Sequence, residues 1–366
     1  MHEKAARLKN CFRLMMPCFI VSLIVILMSC QLYKTRLFST PLSGPYFRAR
    51  DIFPPVKHGQ ECHASSIIEL DNGDLLATWW SGSYEGARDV VIKISRLRFG
   101  RDSWEVAKTV VDIPDRFEGT PVLFSFPDNR VWLFFNLIDP DSKLNAQTMF
   151  RQSLDRGYTW GPIEELITKR GLRTRNHPIV MTNGEVLLPL FDRMSYQSIF
   201  LITGNFGKTW EVGGSIASDT GNIEPTVISR SNGHLYALMR SWDDDPAKRF
   251  LWQSESRDYG RTWATASYSS VPSVSSASEM TKLRNGHVVL AFNNGKGRER
   301  TPLSVALSSD EGFTWQHIRD IELGEGSFSY PSLVQTRDGL IHVTYSYNRH
   351  FIKHVELNEQ WIKAKN

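Results

Sequence analysis

The strongest constraint on this chain is a unit that recurs six times. An apolar run, a turn centred on Asn-Gly or Asp-Gly, and a second apolar run appear as IIELDNGDLLATW, VLFSFPDNRVWLFF, IVMTNGEVLLPLF, VISRSNGHLYALM, TKLRNGHVVLAF and LVQTRDGLIHVTY. The turn positions are Gly73, Asn129, Gly184, Gly233, Gly286 and Gly339, at spacings of 56, 55, 49, 53 and 53 residues. Such turns need positive φ, and between β-branched and aromatic runs they are the strongest local signal for a β-hairpin.

A second motif follows the hairpins. Ser153–Trp160, Ser256–Trp263 and Ser308–Trp315 fit S-x-D-x-G-x-T-W in full. Thr203–Trp210 fits with Asn205 for the aspartate, and Arg98–Trp104 and Glu356–Trp361 read as decayed copies. The aspartate can accept backbone N–H bonds, the glycine supplies positive φ, and the tryptophan packs beneath. These aspartates are therefore structural.

Two hairpins in about fifty residues make a four-stranded sheet, the size of one propeller blade. Six units predict an all-β, six-bladed β-propeller over residues 51–366, without a substantial helix. Of the 43 basic residues, eight fall within residues 1–50 against Glu3 alone, so the rest of the chain is net acidic. That speaks against a nucleic-acid partner.

The early basic excess marks a targeting segment over residues 1–30. Lys4 to Arg13 is a positive flank and Leu14 to Cys30 is almost wholly apolar, interrupted by Pro17. Two readings stay open: a lipoprotein signal with Cys30 acylated, or an uncleaved anchor. Both place the folded part outside the cytosol, attached to a membrane or secreted. Residues 31–50 read as a polar stalk. Cys62 is alone beyond the segment, so a disulfide framework or cysteine metal site is excluded there.

The repeat also locates a functional rim. Nine residues before each turn position stand Ala64, Thr120, Arg175, Glu224, Ala277 and Tyr330, with His63, Asn176, His177 and Glu279 beside them. Six equivalent strand starts around one axis converge. Arg240 ends a returning strand and so reaches the same rim. Glu85, Arg88 and Asp89 lie in the connection after the first hairpin, and Arg300 in that after the fifth. Asp243, Asp244 and Asp245 read as a solvated acidic run rather than a Ca²⁺ site.

With these residues in view, the chain after residue 50 resembles the sialidase (neuraminidase) superfamily, in its branch with Asp-box repeats. Gly221-Asn-Ile-Glu224-Pro-Thr-Val with Leu238-Met-Arg240-Ser is similar to the segment holding the catalytic glutamate and second carboxylate-binding arginine. Arg300-Thr-Pro-Leu-Ser-Val-Ala-Leu-Ser308 resembles the segment of the third arginine. Phe328-Ser-Tyr330-Pro-Ser-Leu resembles that of the nucleophilic tyrosine, and Gly86-Ala-Arg-Asp89-Val-Val-Ile the acid/base loop. The family's opening Arg-Ile-Pro is missing: His63, in Cys62-His63-Ala-Ser-Ser, stands where its arginine would be.

The resemblance implies a retaining exo-glycosidase acting on a terminal sialic acid or related acidic sugar of a glycan, without metal or organic cofactor. Tyr330 is implied as nucleophile, Glu224 as its base and Asp89 as acid/base. Arg240, Arg300 and His63 are implied at the substrate carboxylate; Glu85 competes with Asp89 on the same loop and otherwise reads as a binding group, and Asn176 on the rim reads as a subsite group. A tyrosine suits a sugar whose anomeric carbon bears a carboxylate, since an anionic nucleophile would be repelled. Two other readings stay open: a uronate-directed glycosidase or lyase using His63 or His177, and a glycan-binding propeller without catalysis.

Overall fold

The computed structural model describes residues 44–241 and 245–364. The signal or anchor segment, most of the stalk, Asp243 and Asp244 lie outside the described residues.

Six sheets form the propeller. The first blade is β2 (Glu61–Glu69), β3 (Leu75–Gly82), β4 (Val91–Leu97) and β5 (Lys108–Val111). The second is β6 (Phe117–Ser125), β7 (Val131–Asp139), β8 (Ser142–Ser153) and β9 (Glu164–Ile167). In the third the inner strand is broken into β10 (Leu172–Thr174) and β11 (Ile179–Val180), followed by β12 (Val186–Asp192), β13 (Gln197–Thr203) and β14 (Glu211–Ile216). The fourth is β15 (Asn222–Ser229), β16 (Leu235–Ser241), β17 (Phe250–Ser256) and β18 (Ser267–Pro272). The fifth is β19 (Glu279–Lys282), β20 (Val288–Asn293), β21 (Leu303–Ser308) and β22 (His317–Glu322). The sixth takes β23 (Phe328–Gln335), β24 (Ile341–Tyr347) and β25 (Phe351–Leu357) from the end of the chain and β1 (Phe47–Asp51) from its beginning.

That last blade corrects two expectations. Phe47–Asp51, all but its last residue assigned to the stalk, is the outer strand paired antiparallel with β25. Because β1 fills the fourth place, the copy at Glu356–Trp361 closes no hairpin and instead enters a short helix, α1 (Glu359–Lys363), capped by the Asn358 side chain on Trp361 N.

Blades stack face to face, so second strands are covered on both sides and read as unbroken apolar runs. In β7, VWLFFNLID, every residue but the last is buried. Among the described residues six apolar clusters lie one at each junction between neighbouring blades, including that between the sixth and the first, and a seventh, smaller one lies around Ala64 and Trp80. Each motif tryptophan packs on one of them: Trp104, Trp160, Trp210, Trp263, Trp315 and Trp361. The decayed copies thus keep the packing role of the motif.

The motif aspartates are structural, as expected. Ser256 Oγ donates to Asp258 Oδ1 at 2.9 Å, while Thr262 N and Thr262 Oγ1 donate to its two oxygens at 2.8 and 2.6 Å. Asp155 and Asp310 repeat the pattern, and Asn205 substitutes for it with Thr209 N. Asn129 holds φ +66 at the one turn without glycine.

Candidate active site

In four blades the innermost strand slips register at the same point. The slips lie between His63 and Ser66, Gly119 and Val122, Ile223 and Thr226, and Ser329 and Ser332. Inside them Ala64, Thr120, Glu224 and Tyr330 have φ of +58, +47, +55 and +56. These are the positions marked by the repeat spacing. A bulge bends its strand and re-aims a side chain, and non-glycine residues there cost about 1–3 kcal/mol each. Arg175 occupies the corresponding break between β10 and β11.

Glu224 and Tyr330 are aimed at one another. Tyr330 Oη donates to Glu224 Oε1 at 2.8 Å. Arg240 Nη1 binds both, at 3.1 Å from Tyr330 Oη and 3.2 Å from Glu224 Oε2, and Arg240 Nε donates to Ser275 Oγ at 3.2 Å. Two further guanidiniums face the phenol ring, Arg175 at 4.9 Å and Arg300 at 5.4 Å. Arg175 donates to the Pro331 carbonyl at 2.9 Å, and Arg300 reaches Ser329 Oγ at 3.5 Å. Among the described residues neither forms an ion pair with a carboxylate. Tyr330 itself is only half-buried, so the cluster opens to solvent.

The electrostatics follow from burial and this arginine ring. Burial pushes the Tyr330 hydroxyl up, as does the Glu224 charge, against the pull of Arg240 and Arg300. Burial would raise Glu224 too, but Arg240, the Tyr330 hydroxyl and Arg175 hold it below its ordinary value. The resting pair is therefore a neutral phenol on an ionised carboxylate.

His63 does not replace the missing arginine as a cation. It is buried, its Nδ1 lies 2.8 Å from Ser346 Oγ, and its ring lies 4.3 Å from the Tyr330 ring. Burial, then Arg349, Arg300, Arg175 and Arg240, drive its pKa well down, so it is neutral and packs against the phenol. Asn176 is buried, and its Nδ2 donates to the carbonyls of Glu224 and Pro225, both at 3.1 Å, so it supports the strained backbone of Glu224. His177 is tied to Glu279 Oε1 at 2.9 Å and Ser66 Oγ at 2.9 Å, away from the phenol hydroxyl.

The loop after β3 carries Glu85 and Asp89. Asp89 accepts from Ser83 N at 3.1 and 3.2 Å and from Ser83 Oγ at 2.5 Å, and this bonding lowers its pKa. Glu85 Oε2 accepts from Arg349 Nη2 at 2.6 Å. Arg349, at the turn between β24 and β25, was not singled out from sequence, because an isolated arginine in Tyr-Asn-Arg-His reads as a solvated turn. Its partners Glu61 and Glu85 stand 288 and 264 positions away.

Among the described residues one buried group could offer three metal ligands: His342, His354 and Glu356. Its side chains are instead committed to protein partners. Trp104 Nε1 donates to His354 Nδ1 at 3.3 Å, which leaves His354 Nε2–H to donate to His342 Nδ1 at 2.9 Å and His342 Nε2–H to Thr336 Oγ1 at 3.1 Å. Glu356 is taken by Arg50 and Tyr46.

The family described as BNR repeat-like domain matches residues 73–343. No curated protein matches the sequence. Among solved structures, a protein of unknown function from Dyadobacter fermentans superposes with TM-score 0.70 at 16% identity, over 85% of this chain and 99% of that one. The intramolecular trans-sialidase of Ruminococcus gnavus gives TM-score 0.70 at 12% identity, over 83% and 96%. The NanB sialidase of Streptococcus pneumoniae gives 0.69 at 12% identity, over 88% and 72%. At such identities the likeness is one of fold. By its repeats and its match, the chain belongs to the BNR repeat-like family and is built on the propeller fold of the sialidases.

Proposed function

We propose that this protein is a retaining exo-glycosidase that releases a terminal sialic acid, or a closely related acidic sugar, from glycoconjugates. The observation that carries the reading is the Tyr330–Glu224–Arg240 cluster beside two arginines, Arg175 and Arg300, that lack a carboxylate partner among the described residues. A nucleophile already bonded to a base, within a surplus of positive charge, suits a substrate that brings its own carboxylate.

In the first half-reaction Tyr330 Oη bonds to the anomeric carbon as the glycosidic C–O bond breaks. The phenolic proton passes to Glu224, and a carboxylic acid on the 83–89 loop protonates the leaving oxygen. In the second, that carboxylate takes a proton from water, the hydroxyl attacks the anomeric carbon, and the departing phenoxide recovers its proton from Glu224. Two displacements retain configuration. Arg240 and Arg300 bind the substrate carboxylate, and Arg175 adds positive charge behind the ring. The basic and apolar N-terminal segment supports an extracytoplasmic setting, where glycoconjugates are met.

The test is release of the aglycone from an aryl α-sialoside by the full chain and by Tyr330→Phe. Turnover that falls at least a thousandfold in a folded Tyr330→Phe protein is expected. Absence of turnover by the wild type, together with cleavage of a glucuronate-containing glycan, would replace this reading with the uronate-directed one.

A further inference from the structure

The two carboxylates of the loop after β3 differ in what holds them. Asp89 is a clasp. Both of its oxygens are occupied by the backbone and side chain of Ser83, which closes the loop base into a ring. The base is tight as well: a Cβ on Gly82 would fall 2.7 Å from the Val90 side chain and 2.8 Å from its Cα. Val90 and Ala87 then pack into the small apolar cluster that contains Ala64 and Trp80 and touches Tyr330. The clasp thus fixes the loop against the floor of the site.

Glu85 stands at the loop's exposed tip, and its side chain is held by Arg349 alone among the described residues. Arg349 is anchored beside the reacting groups. Its carbonyl accepts from Cys62 N at 2.7 Å, and its Nη1 donates to Glu61 at 3.0 Å. Cys62 adjoins His63, whose ring lies against Tyr330. The sixth blade therefore ties a carboxylate of the first blade to the turn that also holds Cys62, next to His63.

We infer that Glu85, held by Arg349, is the acid/base of this site, and that Asp89 is a positioning residue that clasps the loop. The inference rests on the glycosidase reading above. Glu85 is close enough for its charge to raise the proton affinity of the Tyr330 phenol. A group that must give a proton to the leaving oxygen and later take one from water needs an accessible oxygen. Both residues are exposed, but Glu85 Oε1 has no protein donor among the described residues, whereas both Asp89 oxygens accept from Ser83.

The experiment compares Glu85→Gln and Asp89→Asn in the full chain on two substrates: 4-nitrophenyl α-sialoside, whose leaving group needs little protonation, and sialyllactose, whose leaving group needs it. Glu85→Gln is expected to lose at least a thousandfold on sialyllactose and far less in the bond-breaking step of the aryl sialoside. Azide, which attacks without a base, should restore its turnover and yield a sialyl azide. Asp89→Asn is expected to lose activity equally on both substrates, without azide rescue. Arg349→Met, which removes the contact that holds the Glu85 side chain, is expected to lose more activity on sialyllactose than on the aryl sialoside. Leaving-group dependence and azide rescue in Asp89→Asn, or equal losses in Glu85→Gln, would overturn the assignment and leave the glycosidase reading standing. No turnover of either substrate by the wild type would overturn both.

Discussion

Tyr330 and Glu224 stand 106 positions apart in the chain and 2.8 Å apart in space, and each sits in left-handed backbone on the innermost strand of its own blade. Neither conformation is one that a bulky residue adopts freely. The register slip that imposes it recurs in blades one and two, where Ala64 and Thr120 carry no such chemistry. The strain therefore belongs to the repeat, and in two of its copies it turns a polar side chain toward its counterpart.

Arg240 and Arg300 should respond differently to truncation. Arg240 is the ion-pair partner of buried Glu224, so Arg240→Ala strands a carboxylate. A stability loss of about 3–5 kcal/mol is expected with the loss of turnover. Arg300 pairs with no carboxylate among the described residues, so Arg300→Ala should leave the denaturation midpoint nearly in place. Its KM for a carboxylate-bearing sugar should rise roughly 10- to 100-fold, by loss of a charge-assisted bond. Denaturant titration and initial rates on the same preparations separate the two.

Asp258 should matter to the fold and not to the chemistry. It closes the turn between β17 and β18 through bonds to Ser256 and Thr262. Asp258→Ala is expected to cost about 1–3 kcal/mol in urea unfolding. kcat and KM below the transition should match the wild type, and a fall in kcat at full folding would contradict a structural role.

Glu118 gives the molecule a pH dependence of its own. It is buried on β6, its Oε1 accepts from Ile113 N at 2.6 Å, and burial, only partly offset by that bond, pushes its pKa up to about 7. The folded value lies above the unfolded one. The stability it confers is thus full below about pH 4.5 and is lost as pH rises through about 7. Glu118→Gln keeps an acceptor for Ile113 and removes the titration. Its stability at pH 8 should exceed that of the wild type by roughly 3 kcal/mol, and the gap should shrink to about 1 kcal/mol or less by pH 5. Urea titrations at the two pH values measure it.

Much of this was legible in the sequence because the fold is written in local signals. Asn-Gly turns, alternating runs and Asp boxes each act within a dozen residues, and their spacing alone marked Glu224 and Tyr330. The same locality hid the rest. Arg349 owes its place to carboxylates far away in the chain, and nothing near it announces them. Asn176 reads from sequence only as a rim group, and its bonds from Nδ2 to the backbone of the next blade are visible only in the fold. The first strand passed for stalk, since FRARD is too short and too charged to show a strand pattern without its partner β25.

That pairing of β1 with β25 makes the ring a clasped belt whose buckle joins its two ends. During synthesis the blades emerge in order, but the first segment must wait, unpaired, until the last is made. Closure then occurs across nearly the whole chain, the kind of long-range contact that slows folding. Five blades can gather early, while the sixth is finished only once the protein is complete. A break in either end therefore opens the junction between first and last blades, where His63, Arg349 and Tyr330 meet.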